Sequence, residues 1–213
     1  MSTSNLRIVL FGAPGSGKGT QAILLSEYLN VHKISLGDIL REEVKRQSPL
    51  GIKVSSYMEK GLLVPDEVVS EVIAAHLDNK GFLLDGYPRN INQAKNLEEI
   101  LGIKHSAVDL FIYLDVDERT IVDRLSKRRV CKACGANYHL KNMPPKKDGI
   151  CDACGAELVQ RKDDTPSVIK KRWEIFTAES KKLLDFYQKN GKLIKVDGRG
   201  EKDEIFERIK GVL

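Results

Sequence analysis

Residues 12–20, which read Gly-Ala-Pro-Gly-Ser-Gly-Lys-Gly-Thr, have the composition and spacing of a phosphate-binding loop. They directly follow an apolar run at 7–11, which predicts a buried strand leading into the loop. Glycines at 12, 15 and 17 allow positive φ angles, so backbone N–H groups can point inward at an anion. A helix beginning near Lys18 would add unpaired amides and its positive dipole end, and the lysine adds a mobile cation. The loop therefore predicts a site for nucleotide phosphates.

All four cysteines lie between positions 131 and 154, as two Cys-x2-Cys pairs separated by sixteen residues. This spacing is typical of a zinc ion held by four thiolates. Each pair is followed by Gly-Ala, which permits a tight turn around the sulfur atoms. Disulfides are the alternative and are disfavoured in a reducing compartment, while iron is the alternative ion. His139 lies in this segment, but four cysteines complete a tetrahedron, so it is predicted to be structural.

The hydrophobic pattern predicts five buried strands separated by helices. The strands are predicted at 7–11, 33–35, 82–85, 110–115 and 193–196. The helices are predicted at 20–30, 37–47, 65–79, 92–101, 118–129 and 166–189. Thr165 is expected to cap the last of these, with Pro166 at its first position. Strands that alternate with helices predict a parallel sheet covered on both faces.

Two stretches interrupt this alternation. Between residues 38 and 78 the pattern contains helices but no strand, and between 130 and 165 the cysteine segment has the Pro, Gly and Lys content of loops or hairpins. Both stretches are predicted to be subdomains inserted into one α/β core, for which 213 residues give sufficient length.

Composition narrows the class of protein. The net charge of +5, from 35 basic and 30 acidic residues, suits the handling of small polyanions and does not by itself argue for nucleic acid. No apolar run approaches the roughly 18 residues of a membrane span. The first residues lack a basic segment followed by an apolar one. We therefore expect a cytoplasmic protein with no membrane partner.

A second motif, Asp85-Gly-Tyr-Pro-Arg89, follows the third predicted strand. Together with the phosphate loop, Ser35-Leu-Gly-Asp-x-x-Arg41 and Asp123-Arg124-x3-Arg128, it resembles the adenylate kinases, a family of nucleoside monophosphate kinases, over essentially the whole chain. Gly19, which delays the hydroxyl of Thr20 by one residue relative to the general phosphate-loop pattern, is normal in that family. The chain looks most like the bacterial long form, in which a zinc-binding lid replaces a hydrogen-bonded one.

The resemblance implies an α/β, three-layer P-loop fold around a five-stranded parallel sheet. The core would comprise 1–34, 65–126 and 165–213, the helical subdomain that binds the nucleoside monophosphate 35–64, and the lid 127–164. The implied reaction is ATP + AMP = 2 ADP, with Mg²⁺ entering with ATP and zinc serving structure alone. The expected partners are therefore ATP, AMP and ADP, handled by a monomer.

The resemblance also assigns roles to individual residues. The residues implied in catalysis are Lys18, Arg89, Arg128, Arg161 and Arg172. Those implied in ATP binding are Gly12, Ala13, Pro14, Gly15, Ser16, Gly17, Lys18, Gly19, Thr20, Arg124, Arg128 and Gly200. Those implied in AMP binding are Leu36, Arg41, Val64, Gly86, Arg89, Gln93, Arg161 and Arg172. Asp85 would hold Mg²⁺ through water. Asp163 and Asp164 would brace the lid hinge, with a solvated loop as the alternative. Zinc would be held by Cys131, Cys134, Cys151 and Cys154.

The acceptor base leaves one alternative open. Gln93 matches the family position that binds adenine, but adenylate kinases usually have threonine where this chain has Leu36, so a UMP/CMP-type kinase is conceivable. The long lid favours AMP. A different class, a P-loop binding protein whose zinc knuckle contacts nucleic acid, would use the basic residues near the cysteines. That segment has only Tyr138 as an aromatic, too few for a base-stacking platform, so we expect no nucleic-acid partner.

Overall fold

The computed structural model describes residues 5–78 and 80–213. Five parallel strands form the central sheet, in the order β2-β3-β1-β4-β8. They are β1 (Arg7–Gly12), β2 (His32–Ser35), β3 (Phe82–Asp85), β4 (Leu110–Asp115) and β8 (Leu193–Asp197). The five predicted strands and the α/β class are confirmed, with boundaries that differ by one residue at most.

Helices cover both faces of this sheet, because alternate residues of each strand point to opposite sides. In β1, Ile8 and Leu10 pack in one cluster with α1 (Lys18–Leu29) and α8 (Lys202–Lys210). Val9 and Phe11 pack in a second cluster on the opposite face. The helices that contribute to this second cluster are α4 (Asp66–His76), α5 (Ile91–Ile103) and α7 (Pro166–Lys189). The result is the predicted three-layer arrangement.

The first insertion contains α2 (Leu36–Lys45) and α3 (Pro49–Glu59), followed by α4. Helices α2 and α3 contact closely at Gly51, where an added Cβ would lie 2.1 Å from the carbonyl oxygen of Glu43. Only glycine fits such an approach. The 65–79 helix prediction extends past the end of α4 at His76, and its Asn79 lies outside the described residues.

The cysteine segment forms a small antiparallel sheet, in the order β6-β5-β7. Its strands are β5 (Arg128–Cys131), β6 (Asn137–His139) and β7 (Leu158–Val159). The predicted helix 118–129 is wrong at its end, because α6 (Glu118–Ser126) stops earlier and Arg128 already pairs with His139 across the ladder. Leu125 is the last buried apolar residue of α6, so a longer helix would have no apolar face to bury.

The predicted side-chain cap of α7 is wrong. The Thr165 side chain makes no capping hydrogen bond to α7, although Pro166 does occupy the first position of that helix. Helix α8 was not predicted from the sequence. Its start carries a capping box, in which the side chains of Glu201 and Glu204 each accept from the other residue's backbone N–H. Only half of the usual helix-start signal is present in the sequence, because Glu204 matches the N3 position but the N-cap is Glu201 rather than Ser, Thr, Asp or Asn.

Within residues 5–78 and 80–213, no helix is long and apolar enough to cross a membrane.

Candidate active site

The phosphate loop connects β1 to α1 at the carboxyl edge of the sheet, where open α/β sheets bind ligands. Gly15 and Gly17 have φ angles of 85° and 98°, in the left-handed region that favours glycine. Gly17 is the N-cap of α1, so the first N–H groups of the helix begin directly at the loop. The loop lines a cleft of about 340 Å³. Anion binding at this helix N-terminus is therefore built into the backbone.

The side chain of Lys18 folds back into the loop. Its Nζ donates to the carbonyl oxygens of Gly12 at 2.6 Å and Ala13 at 2.8 Å. Burial lowers the pKa of Lys18 to about 7, an effect that the nearby Asp85 carboxylate opposes. Repulsion from three arginines lowers this pKa further; these are Arg89, Arg172 and Arg128. Lys18 and these three arginines thus share one cleft, and an incoming polyanion would relieve their repulsion.

One buried and one partly buried carboxylate orient two of these arginines. Asp164, whose side chain is fully buried, accepts from Arg128 Nε at 2.7 Å and from Arg128 Nη2 at 2.5 Å. Arg172 Nη1 donates to Asp163 Oδ2 at 2.9 Å and lies 3.5 Å from Asp164 Oδ1. Bidentate pairing fixes the plane of a guanidinium and leaves its remaining N–H groups for a second anion. Asp163 and Asp164 therefore hold Arg172 and Arg128 in place at the cleft, whereas their part in a lid hinge stays a prediction.

Arg161 reaches the same cleft from the end of the small sheet. Its Nη2 donates to Asn137 Oδ1 at 2.9 Å, and burial lowers the pKa of Arg161 to about 9, with repulsion from Arg128 adding to the effect. Its Nε is buried and has no hydrogen-bond partner within the described residues. Since a buried unpaired N–H is costly, this donor is positioned for a ligand.

Asp85 ends β3 and points toward α1, where an added Cβ on Gly19 would lie 3.5 Å from its Oδ2. Burial raises the pKa of Asp85, while Lys18 opposes the rise. Asp38 has a different role. Its backbone N–H donates to Ser35 Oγ, since Ser35 is the N-cap of α2, and its carboxylate pairs with Arg41 at 2.5 Å. A carboxylate beside a phosphate loop suits the water shell of Mg²⁺, so Asp85 fits the predicted role.

The opposite half of the cleft contains Gln93, which is 1% exposed. Gln93 Oε1 accepts from the backbone N–H of Arg89 at 2.8 Å, and Gln93 Nε2 donates to Asp66 Oδ1 at 2.8 Å. Arg89 Nε in turn donates to the carbonyl oxygen of Gly86 at 2.7 Å, and burial lowers the pKa of Arg89 to about 10. The amide of Gln93 is therefore held at both ends by the protein.

Arg124 connects the phosphate loop to the loop after β8. Its Nη1 donates to the carbonyl oxygens of Ser16 at 3.2 Å and Gly198 at 2.9 Å, and its Nη2 donates to that of Gly200 at 3.1 Å. Arg124 lines the cleft together with Gly200 and Glu201. A planar cation in this position can stack on an aromatic base.

Most of the residues predicted from sequence line this one cleft. They are Gly12, Pro14, Gly15, Gly17, Lys18, Gly19, Thr20, Leu36, Arg41, Val64, Asp85, Gly86, Arg89, Gln93, Arg124, Arg128, Arg161, Arg172 and Gly200. Ala13 and Ser16 are instead buried, the former in an apolar cluster with Leu125.

Several cleft residues escaped the sequence analysis. His139, predicted to be structural, lines the cleft together with Asn142 and Lys202. Its Nδ1 accepts from the backbone N–H groups of Lys141 at 3.2 Å and Asn142 at 2.9 Å, so its Nε2 carries the proton. That Nε2 is buried and unpartnered within the described part of the chain. No motif in the segment indicated this position, although three consecutive residues of β6, Asn137, Tyr138 and His139, line the cleft.

The four cysteines converge as predicted, with all sulfur atoms within 4.8 Å of one another. The Sγ atoms of Cys131 and Cys154 are 3.4 Å apart, and those of Cys134 and Cys151 are 3.6 Å apart. Tetrahedral zinc with bonds of about 2.3 Å requires sulfur separations of ~3.8 Å, whereas a disulfide requires about 2.05 Å. The donor set therefore fits zinc.

Tyr138 supports this cluster from the small sheet. Its hydroxyl lies 3.5 Å from Cys151 Sγ and accepts from the Asp152 N–H at 2.8 Å. Hydrogen bonding by Tyr138 lowers the pKa of the Cys151 thiol to about 6, which favours the thiolate that a metal requires.

Comparisons with known proteins agree with this arrangement. The family profile described as "Adenylate kinase" matches residues 10–192. The chain is 45% identical over 212 residues to an adenylate kinase of Clostridium tetani, covering 98% of both chains. It is 48% identical over 212 residues to one of Methanocella arvoryzae, again covering 98% of both. It is 45% identical to one of Caldanaerobacter subterraneus subsp. tengcongensis, covering 98% of this chain and 96% of the relative. The chain belongs to the adenylate kinase family.

Proposed function

We propose that this phosphotransferase of the adenylate kinase family catalyses reversible transfer of the γ-phosphoryl group from Mg-ATP to AMP, using the cleft described above. The observation that carries the assignment is the convergence of cations on that cleft. The phosphate loop, Lys18 and the arginines from four separate parts of the chain line it together. A family member with a pyrimidine acceptor is the alternative that Leu36 leaves open.

The proposed chemistry needs positioning rather than a general base. The second pKa of a phosphate is about 6, so the attacking oxygen of the acceptor is already ionised at neutral pH. The transferring group spreads charge over its oxygens, and fixed cations in a water-poor site stabilise that charge. Arg128 and Arg172, held by Asp164 and Asp163, are oriented for this role before substrate arrives. Arg161, whose Nε has no partner among the residues that the structure describes, completes the set.

The two nucleotides are assigned to opposite ends of the cleft. The donor end comprises the phosphate loop 12–20, Arg124, Arg128 and Gly200. The acceptor end comprises Leu36, Arg41, Val64, Gly86, Arg89, Gln93, Arg161 and Arg172. Asp85 would hold the hydrated Mg²⁺, which supplies charge neutralisation between the phosphates when bound. All of these residues come from one chain, so a monomer suffices.

The proposed nucleotide positions also give each part of the chain a role. Residues 35–64 bind the acceptor, residues 127–164 cover the donor, and 1–34, 65–126 and 165–213 form the core. Contacts join residues 127–164 to both other parts. Asn142 Nδ2 donates to Glu201 Oε1 of the core at 2.9 Å, and Lys162 Nζ lies 3.3 Å from Glu59 Oε1 of residues 35–64. Zinc on the four cysteines would stabilise 127–164 without an open coordination position, and hence without a part in the chemistry.

A competition assay tests the proposed acceptor. Purified protein with Mg-ATP is offered AMP, CMP, UMP and GMP separately and in pairs, and diphosphate formation is measured. We expect AMP to have the highest kcat/KM. Preference for CMP or UMP would identify a pyrimidine kinase instead. Absence of transfer to every acceptor, combined with binding to RNA at physiological salt, would favour the binding-protein alternative.

Replacing Gln93 with alanine tests the acceptor end. If Gln93 contacts adenine, the variant raises KM for AMP much more than KM for ATP. Loss of a hydrogen bond of ordinary strength costs about 1–2 kcal/mol, or roughly five- to thirty-fold. Initial rates with one nucleotide varied at saturating concentrations of the other give both constants. Equal changes in the two KM values would contradict the assignment.

The buried Lys18 predicts uptake of a proton on binding of Mg-ATP. With a pKa of about 7 in the free protein, Lys18 is mostly neutral at pH 8 and mostly charged at pH 6. Phosphates beside Nζ favour the ammonium, so binding at pH 8 recruits about one proton and binding at pH 6 recruits far less. Calorimetry in buffers of different ionisation enthalpy measures this number. Equal proton uptake at both pH values would show that Lys18 stays charged in the free protein.

A further inference from the structure

Asp66 occupies a position to which neither the sequence motifs nor the proposed reaction assigns a role. It is the first residue of α4, two residues after Val64, and it is half-buried behind the acceptor end of the cleft. Its Oδ1 accepts two hydrogen bonds, from Gln93 Nε2 at 2.8 Å and from Asn90 Nδ2 at 2.9 Å. Asn90 Oδ1 accepts from the Gln93 N–H at 2.9 Å. Asp66 is therefore connected to both the side chain and the capped backbone of Gln93.

These hydrogen bonds fix the orientation of the Gln93 side-chain amide. A carboxylate only accepts hydrogen bonds, so the Nε2 end of Gln93 must face Asp66. A backbone N–H only donates, so the Oε1 end must face Arg89, whose N–H lies 2.8 Å from it. If the amide were rotated by 180°, Oε1 would face the Asp66 carboxylate, which also only accepts. Nε2 would then face the Arg89 N–H, which also only donates. Since Gln93 is 1% exposed, water cannot compensate for such a mismatch.

The fixed amide still has hydrogen-bonding capacity for a ligand. Nε2 carries two hydrogens and Oε1 two acceptor positions, and the protein uses one of each. Adenine presents an acceptor at N1 beside a donor at its 6-amino group. Hypoxanthine presents the reverse, a donor at N1 beside an acceptor at O6. An amide that cannot turn over can therefore match only one of these two base edges well.

We propose that Asp66 is a positioning residue that fixes the Gln93 amide in the orientation complementary to adenine and so contributes to the choice of a 6-amino purine as acceptor. This inference rests on the proposed contact between Gln93 and the acceptor base. Asp66 acts through Gln93 and does not itself touch the nucleotide.

The test is the selectivity between AMP and IMP, two acceptors of nearly equal size with opposite base edges. Asp66→Leu removes the acceptor that holds Nε2, and the ratio of kcat/KM for AMP to that for IMP is expected to fall about five- to tenfold. Asp66→Asn keeps an oxygen for Nε2 and is expected to retain most of the selectivity. Glu67→Gln, at the exposed neighbour in the same helical turn, is the matched control and should leave the ratio unchanged.

A double variant separates positioning from general destabilisation. In the background of Gln93→Ala, Asp66→Leu should change the AMP to IMP ratio no further, since the amide it positions is gone. If Asp66→Leu does not fold, Asp66→Ala carries the same expectation with a helix-favouring residue. Equal losses with AMP and IMP, or an unchanged ratio, would overturn the inference.

Different results would refute the contact of Gln93 with the base and the role of Asp66. If Gln93→Ala leaves KM for AMP unchanged relative to KM for ATP, the proposed acceptor contact is wrong, and the role of Asp66 is wrong with it. If Gln93→Ala weakens AMP as expected while Asp66→Leu keeps full selectivity, only the role of Asp66 is overturned.

Discussion

Replacing Lys18 with methionine is expected to abolish phosphoryl transfer while leaving the fold intact. Methionine retains the aliphatic length of the side chain but removes the charge that lies in the phosphate loop. Removing one preorganised group that stabilises transition-state charge typically costs 10²–10³ in kcat, and a full positive charge beside the moving phosphoryl should cost at least roughly that much. Steady-state rates with Mg-ATP and AMP, measured across several enzyme concentrations, give the loss.

The structure also explains why the variant should remain folded. Burial and three neighbouring arginines already disfavour the charged form of Lys18, as its pKa of about 7 indicates. Removing a group of this kind relieves repulsion and deletes only two bonds, to the carbonyl oxygens of Gly12 and Ala13. The melting temperature should therefore change little. Lys53→Met, at an exposed position of α3, is the control for loss of a lysine outside the cleft. Wild-type activity in the Lys18 variant would refute the proposed role.

Removal of zinc from the four cysteines is expected to lower thermal stability strongly while leaving some activity at low temperature. The apolar core of the cysteine segment is small: Tyr138 and Leu158 pack with Cys131 and Cys151, and the alanines beside them are only partly buried. Ordering about 35 residues at roughly 1–2 kcal/mol each cannot be offset by so few apolar contacts. Four thiolates on one ion would supply the missing cross-link and couple metal binding to folding.

Cys151→Ser is the corresponding variant. We expect its melting temperature to fall by about 5–10 °C, since 1 kcal/mol corresponds to about 2–4 °C for a chain of this size. Activity should decrease as well, because Asn137, Tyr138 and His139 lie in the same small sheet and line the cleft. Ala153→Ser, at an exposed position of the same turn, is the matched control. Differential scanning calorimetry and elemental analysis, which should find about one zinc per chain, provide the measurements.

Four outcomes would distinguish the alternatives for this metal. Purified protein without any metal, or a metal-free form of unchanged stability, would contradict a structural zinc. Iron in place of zinc would support a structural metal site at the four cysteines but would show that the bound ion is not zinc. Complete loss of activity in a metal-free protein that remains folded at low temperature would indicate a catalytic ion instead.

The sequence alone determined the features that depend on neighbouring residues. The spaced glycines encode the φ angles of the phosphate loop, the apolar runs encode the five strands, and the two Cys-x2-Cys pairs encode turns that present two sulfurs each. In each of these cases the residues that define the structure lie within a few positions of one another. Local sterics and burial are then sufficient to predict the result.

The tertiary structure alone decided which distant residues meet. The pairing of Arg128 with Asp164 spans 36 positions, and that of Gln93 with Asp66 spans 27. The position of His139 beside the cleft likewise depends on how the small sheet packs, since no motif in its segment indicates it. No local pattern contains these contacts, because they depend on how the sheets and helices pack. Once packing buries such charges and amides, each requires a partner, and the partners it finds fix the geometry of the site.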